Sequence, residues 1–206
     1  MNKEIRAFTF DIRAEQNEAN GTYLTGQPIV YNERANLGLW DEIIADGALA
    51  ETDLRDVRFL VNHNIDMIPL ARSRNNNANS TMQMEVVEGE GMRIRVNLDT
   101  ENNAEARSLY SAVQRGDVSG MSFMFIVDGD RWDDIGSEHP TRTITKIAKV
   151  MEVSAVTFPA YEATSIQARG LSDALESAKT SLESARAARR EIERRKQKIR
   201  ILTEVM

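Results

Sequence analysis

Gly120-Met121-Ser122-Phe123-Met124-Phe125 reads as a β-strand with no polar face. Met121, Phe123, Phe125 and Val127 alternate onto one side, and Ser122, Met124 and Ile126 onto the other. A strand apolar on both faces is one covered on both faces. Its one hydroxyl is either a small residue satisfied by a backbone carbonyl or a nucleophile held by its neighbours. Working outward, Thr100 is in place to cap a helix running to Arg115. Ala106, Leu109, Tyr110 and Val113 form its apolar stripe, and Gly116 is its stop. On the other side, Asp128–Pro140 reads as an acidic loop around Trp132. Two more strands are expected over Thr141–Lys149 and Val150–Phe158. In the second of these, Glu152 shares a face with Ser154 and Val156. A carboxylate inside an apolar strand needs a partner or water, because burying it alone is costly.

Further out, Thr81–Val87 and Met92–Leu98 alternate cleanly about Glu88-Gly89-Glu90-Gly91, the pattern of a hairpin. Val57, Phe59, Val61 and His63 lie at period two, so His63 is expected to close an inward-facing row. Asn75–Asn79 reads as a surface loop. Near the start, Phe8, Phe10 and Ile12 alternate, Asn20-Gly21 signals a turn, and Thr22–Tyr31 reads as a strand at an edge or with a bulge at Gly26 and Pro28. Trp40–Ile44 suggests a short strand, and Asp46–Leu49 a turn and a short helix. From Leu171 the chain holds no proline or glycine. Leu171, Leu175, Ala178, Leu182, Ala185, Ile192 and Ile199 follow a 4-3 spacing along one long helix. Between residues 186 and 200 it carries eight arginines and lysines against Glu191 and Glu193, a net of +6. Such a run is a solvated face or a docking surface for an acidic partner.

Composition limits the chemistry. The 206 residues are 41% hydrophobic and 28% charged, enough for one sizeable core and an appendage. With no cysteine, thiol catalysis, disulfides and cysteine metal sites are excluded, and His63 and His139 are the only histidines. No motif calls for a metal or organic cofactor. No apolar run approaches the roughly 20 residues that cross a bilayer, and Met1–Ile5 has no apolar signal region, so a cytoplasmic chain is expected. The net charge of −6 argues against nucleic-acid binding by the body. The remaining chemistry is a serine, a histidine and a carboxylate: a nucleophile, its general base and an orienting group. Spacing alone does not define such a triad. Ser119 and Ser154 are rival nucleophiles, and His139 sits in a polar loop.

Four ordered motifs carry a resemblance. They are Asp56-Val57-Arg58-Phe59-Leu60-Val61-Asn62-His63, Pro69-Leu70-Ala71-Arg72, Gly120-Met121-Ser122-Phe123, and Glu152-Val153-Ser154-Ala155-Val156-Thr157-Phe158-Pro159-Ala160-Tyr161. Together, over about residues 5–165, the chain resembles the prohead (capsid-maturation) proteases of tailed bacteriophages. That resemblance implies an α+β, mainly β fold similar to the herpesvirus assembly proteases. It would be a closed or nearly closed β-barrel flanked by helices, with the long helix following: a protease domain over 1–168 and a basic helix over 169–206. It implies a serine endopeptidase inside the assembling procapsid, in the host cytoplasm. Such an enzyme removes scaffold or capsid-protein segments and commonly digests itself. By motif, His63 matches the base and Ser122 the nucleophile, and Glu152 is taken as the third member. Arg72 is a candidate for substrate or oxyanion contact. Met124 and Ala71 stand where the family pattern leads one to expect glycine. The implied partner is the major capsid protein or its scaffolding segment. A homo-oligomer is left open, since the herpesvirus relatives act as dimers. The competing reading is a non-catalytic scaffold or assembly protein, and a third is a nucleic-acid module using the basic helix.

Overall fold

The computed structural model describes residues 3–8, 12–17, 21–157 and 168–204, with side chains left aside for 7–8, 17, 168–177 and 201–204. Phe10, Asn20 and Phe158-Pro159-Ala160-Tyr161 lie outside the described residues, as do the side chains of Leu171 and Leu175. Eleven strands and two helices are formed within them. The chain is mainly β with a long C-terminal helix.

The strand quoted at the outset is the head of β10 (Gly120–Asp133). It pairs along its length with β11 (Thr141–Val156). The expected acidic loop is therefore mostly strand, and the two strands expected after it are one. The sheet continues past the presumed breaks by slipping register between Met124 and Phe125 and again before Asp130. Such bulges bend a long ribbon without ending it. On the other edge of β10 lies β1 (Lys3–Phe8), with Ala7 opposite Ser122. The far edge of β11 is shared. Its first part takes β5 (Asp41–Ile44) in parallel, itself paired with β4 (Arg34–Asn36). Its last part takes β6 (Asp56–Val61) in parallel, itself paired with β7 (Ala71–Arg74).

A second, antiparallel sheet runs β2 (Ile12–Asn17), β3 (Gly21–Val30), β9 (Gly91–Asn97) and β8 (Met82–Val87). Here β8 and β9 are the expected hairpin, and β3 is bulged between Gly26 and Ile29, although it is interior rather than an edge. The two sheets bury one common core that includes Ile29, Met82, Met92, Val57, Phe59, Met121, Phe123 and Val153.

The sheets do not close into a barrel. Where β7 and β8 would have to join, side chains occupy the free backbone groups. Arg72 N donates to Thr81 Oγ1 at 2.8 Å, and Arg74 N to Ser80 Oγ at 2.9 Å. On the facing strand the Asn76 side-chain amide takes both the N–H and the C=O of Met84, each at 2.9 Å. Groups satisfied in this way offer no ladder to a neighbouring strand. Asn76 comes from the asparagine-rich stretch, where it and Asn75 sit at positive φ, a region asparagine tolerates.

Helix α1 (Ala104–Arg115) is capped by Asn103, whose side chain accepts from Glu105 N and Ala106 N, rather than by Thr100. It stops at Gly116 in the left-handed conformation and feeds the chain through Val118 into β10. No helix forms at Asp46–Leu49, where the chain makes turns. Helix α2 (Ala168–Glu204) buries Ala178 and Leu182, while Ile192 and Ile199 of the same stripe are exposed. Its basic half begins against the turn after β10, where Arg186 Nε donates to Ile135 O at 3.2 Å, and is largely exposed beyond it.

Candidate active site

Because side chains alternate along β10 and β11, the residues between the core positions point to the other face of the sheet. Met121 and Phe123 face the core beside their cross-strand partners Ala155 and Val153. Ser122 and Ser154 are therefore cross-strand neighbours on the opposite face, and Glu152 is the next position along from Ser154. Ser122 and Ser154 are fully buried and Glu152 nearly so.

His63 reaches this face from a turn, not from a strand. The expected inward row ends at Val61. Asn62 and His63 then take φ of +51° and +55°, and Asn64 N bonds back to Val61 O at 3.1 Å. Two left-handed central residues closed by that bond form a turn of the I′ kind. Each such non-glycine residue costs on the order of 1 kcal/mol, so the turn must be held from outside. Asn62 N donates to Ala155 O at 2.9 Å. The Asn62 side chain donates to Thr157 Oγ1 at 3.1 Å and accepts from Thr157 N at 2.9 Å. His63 N donates to Ser154 Oγ at 3.2 Å.

Held there, the imidazole bridges the two strands. His63 Nδ1 lies 2.5 Å from Glu152 Oε1, and Nε2 lies 2.5 Å from Ser122 Oγ, although 89 and 59 residues separate the pairs in sequence. A carboxylate oxygen only accepts, which puts the ring proton on Nδ1 and leaves Nε2 to accept from the serine. The Ser122 hydroxyl has a second acceptor within reach, the Arg6 carbonyl at 2.7 Å. Ser154 donates to Glu152 Oε2 at 2.5 Å. The His63 side chain is 17% exposed and forms the open side of the site.

The three residues expected at the centre are thus brought together, and of the other candidates only Ser154 joins them. Ser119 is exposed before the strand begins. His139 is bonded to Asp41 at 2.9 Å on the surface. The Arg72 guanidinium forks onto Asp56 at 2.7 and 2.9 Å. That hydrogen bonding holds the Asp56 carboxyl below its ordinary range and raises the pKa of Arg72. Met124, the departure noted beside the nucleophile, is half-buried across from Glu152. A pocket of about 550 Å³ adjoins the histidine turn, lined by Val61, Asn62, Asn64, Met67, Leu109 and Val118.

A second buried group went unread in the sequence. Arg6 and Arg142 are sandwiched between Glu4 and Glu42, all four nearly inaccessible. Arg6 bonds to Glu42 through Nε and Nη2 and to Glu4 through Nη2. Arg142 bonds to Glu4, Glu42 and Asp130. Burial alone would lower the pKa of both arginines and raise that of Glu42. The opposite charges outweigh it, so the arginines are raised and Glu42 is lowered. Asp130 also accepts from Ser181 of α2 at 3.0 Å, and Ser181 accepts from Trp132 Nε1 at 3.0 Å. This network fixes Arg6, whose carbonyl faces Ser122, and ties that strand to the C-terminal helix. Its sequence signal was there: charged residues inside otherwise strand-like runs at Glu4-x-Arg6, Glu42 and Arg142.

With this geometry in view, a family model described as caudovirus prohead serine protease matches residues 8–178. The chain belongs to that family. The match covers both sheets apart from nearly all of β1, includes His63, Ser122 and Glu152, and ends at the buried Ala178 of α2. The exposed basic half of the helix lies beyond it. As a member of the prohead protease family, the chain is a serine protease by descent, and the family points to capsid maturation. Comparison with curated proteins and with solved structures returned no match. Among the described residues no helix is long and apolar enough to cross a membrane.

Proposed function

We propose that this prohead protease is a serine endopeptidase that cleaves scaffold or capsid-protein segments, and itself, inside the assembling procapsid in the host cytoplasm. The observation that carries this reading is the unbroken hydrogen-bonded chain from Glu152 through His63 to Ser122. In the mechanism, the Ser122 hydroxyl turns its proton from the Arg6 carbonyl to His63 Nε2. Ser122 Oγ attacks the scissile carbonyl carbon as His63 takes the proton. Backbone amides stabilise the oxyanion. Glu152 holds the Nδ1–H tautomer and balances the imidazolium that forms. His63 then protonates the leaving amine, and water repeats the sequence on the acyl-enzyme. An apolar side chain of the substrate fits the pocket between the histidine turn and α1, beside the exposed Ile65 and Ile68. The basic half of α2 serves to bring the enzyme to an acidic surface of its capsid or scaffold partner.

The test is co-expression with the cognate capsid protein, wild type against Ser122→Ala, read by intact mass. Truncated products with the wild type alone support the proposal. Truncation that persists in Ser122→Ala removes Ser122 as nucleophile. Shells that form uncut with both proteins favour the non-catalytic scaffold reading.

A further inference from the structure

Ser154 was a rival for the nucleophile, and its surroundings rule that role out while giving it another. A serine hydroxyl has one proton to donate and two lone pairs. The Ser154 proton goes to Glu152 Oε2 at 2.5 Å, a length typical of an O–H bond to a carboxylate. Its oxygen accepts from the His63 backbone at 3.2 Å. The imidazole does not serve it, because its two nitrogens are engaged by Glu152 and by Ser122. We propose that Ser154 is a positioning residue of the catalytic centre, its hydroxyl holding the Glu152 carboxylate and the backbone of His63 at once. This inference rests on the serine-protease reading above.

The physical argument is one of restraint. The terminal torsion of a glutamate is broad, so one bond to His63 Nδ1 leaves the carboxylate plane free to rock. Ser154 holds the second oxygen, and both oxygens are then fixed. The same hydroxyl anchors the left-handed turn that carries the imidazole. The distance between base and orienting group is therefore set from both ends by one atom. That atom is fully buried, directly across the ladder from Ser122. With alanine there, the His63 N–H and one carboxylate oxygen lose their partner in a site that water barely enters.

The experiment is a double-mutant cycle of Ser154→Ala with Glu152→Ala, using peptide hydrolysis and thermal unfolding as readouts. Ser154→Ala is expected to lower kcat roughly ten- to hundred-fold, the loss of one hydrogen bond to a charged group, with KM within about three-fold. In the Glu152→Ala background the same change should cost only about two- to three-fold, because its target is gone. An equal loss in both backgrounds, or a loss confined to KM, overturns the proposal. A second measurement does not need activity. In Ser122→Ala protein, the far-downfield proton resonance of His63 Nδ1–H should shift or broaden when Ser154→Ala is added. An unchanged resonance overturns the positioning role. If the wild type shows no Ser122-dependent hydrolysis, the protease reading fails, and the resonance still decides whether Ser154 orders the histidine and carboxylate.

Discussion

Replacing Glu42 by glutamine tests the buried ionic network. The carboxylate accepts from Arg6 Nε, from Arg6 Nη2 at 2.8 Å and from Arg142 Nη1 at 3.1 Å. Glutamine keeps the shape but offers one acceptor and turns an NH₂ toward donors. Arg142 retains Glu4 and Asp130, whereas Arg6 is left with Glu4 and a backbone carbonyl. Two charge-assisted bonds lost at about 1.5–3 kcal/mol each, less some recovery at the remaining oxygen, leave a cost of about 3 kcal/mol. For a chain of this size that is a fall in Tm of about 6–12 °C. The pH dependence carries a definite sign. The folded pKa of Glu42 is depressed from its ordinary 4.5. Its stabilisation is therefore complete above that value and is lost as pH falls through the folded pKa. Urea unfolding of wild type and Glu42→Gln should give a constant gap at neutral pH that narrows below pH 4.5. A gap under about 1 kcal/mol at neutral pH, the value of an exposed pair, or one that persists undiminished in acid, refutes this account of the network.

Glu152→Gln should fold normally and lower kcat by roughly 10³–10⁴, with the tautomer no longer enforced, whereas Ser122→Ala should remove turnover altogether; steady-state kinetics on one peptide separates them. Asn103→Ala removes the α1 cap and should cost about 1 kcal/mol in denaturant unfolding, with the hydrolysis rate per folded molecule unchanged. Gly91→Ala should be far more damaging than a typical surface change. It has a φ of +125°, and a Cβ there would stand 2.1 Å from the Ile29 carbonyl oxygen. A loss above about 2 kcal/mol in urea is expected, and a smaller one would mean the β3–β9 junction can open without penalty.

The three side chains that the structure brings together were legible because each sits in a short motif whose chemistry is local: a serine in an apolar strand, a carboxylate in another, a histidine closing a strand row. What held them was not. The period-two row predicted His63 on a strand, because alternation cannot register the change of backbone sign at Asn62 and His63. The supporting bonds come from Ser154 and Thr157, about 90 residues away in sequence. The strand lengths around Trp132 were missed for a related reason. Acidic residues there looked like a loop, but Asp130 is neutralised by Arg142 from the paired strand, and bulges absorb the irregular pattern. The barrel expected from the family resemblance gave way to two sheets, with side-chain caps from Asn76, Ser80 and Thr81 on backbone groups that no local pattern pairs with them. The hairpin of β8 and β9 and the stop at Gly116 needed no distant partner, and they came out as expected.

The pairing of β1 with β10 has a consequence for the order in which the site is assembled. Arg6 and Ser122 are 116 residues apart, and the carboxylate that orients the base comes later still. A ribosome delivers the chain from its N-terminus. The nascent chain therefore holds His63 and Ser122 before it holds Glu152 and Ser154, and the ladder of β1 with β10 waits for β10 to emerge. The arrangement of His63, Ser122 and Glu152 is therefore complete only once β11 has been made and β1 has found β10.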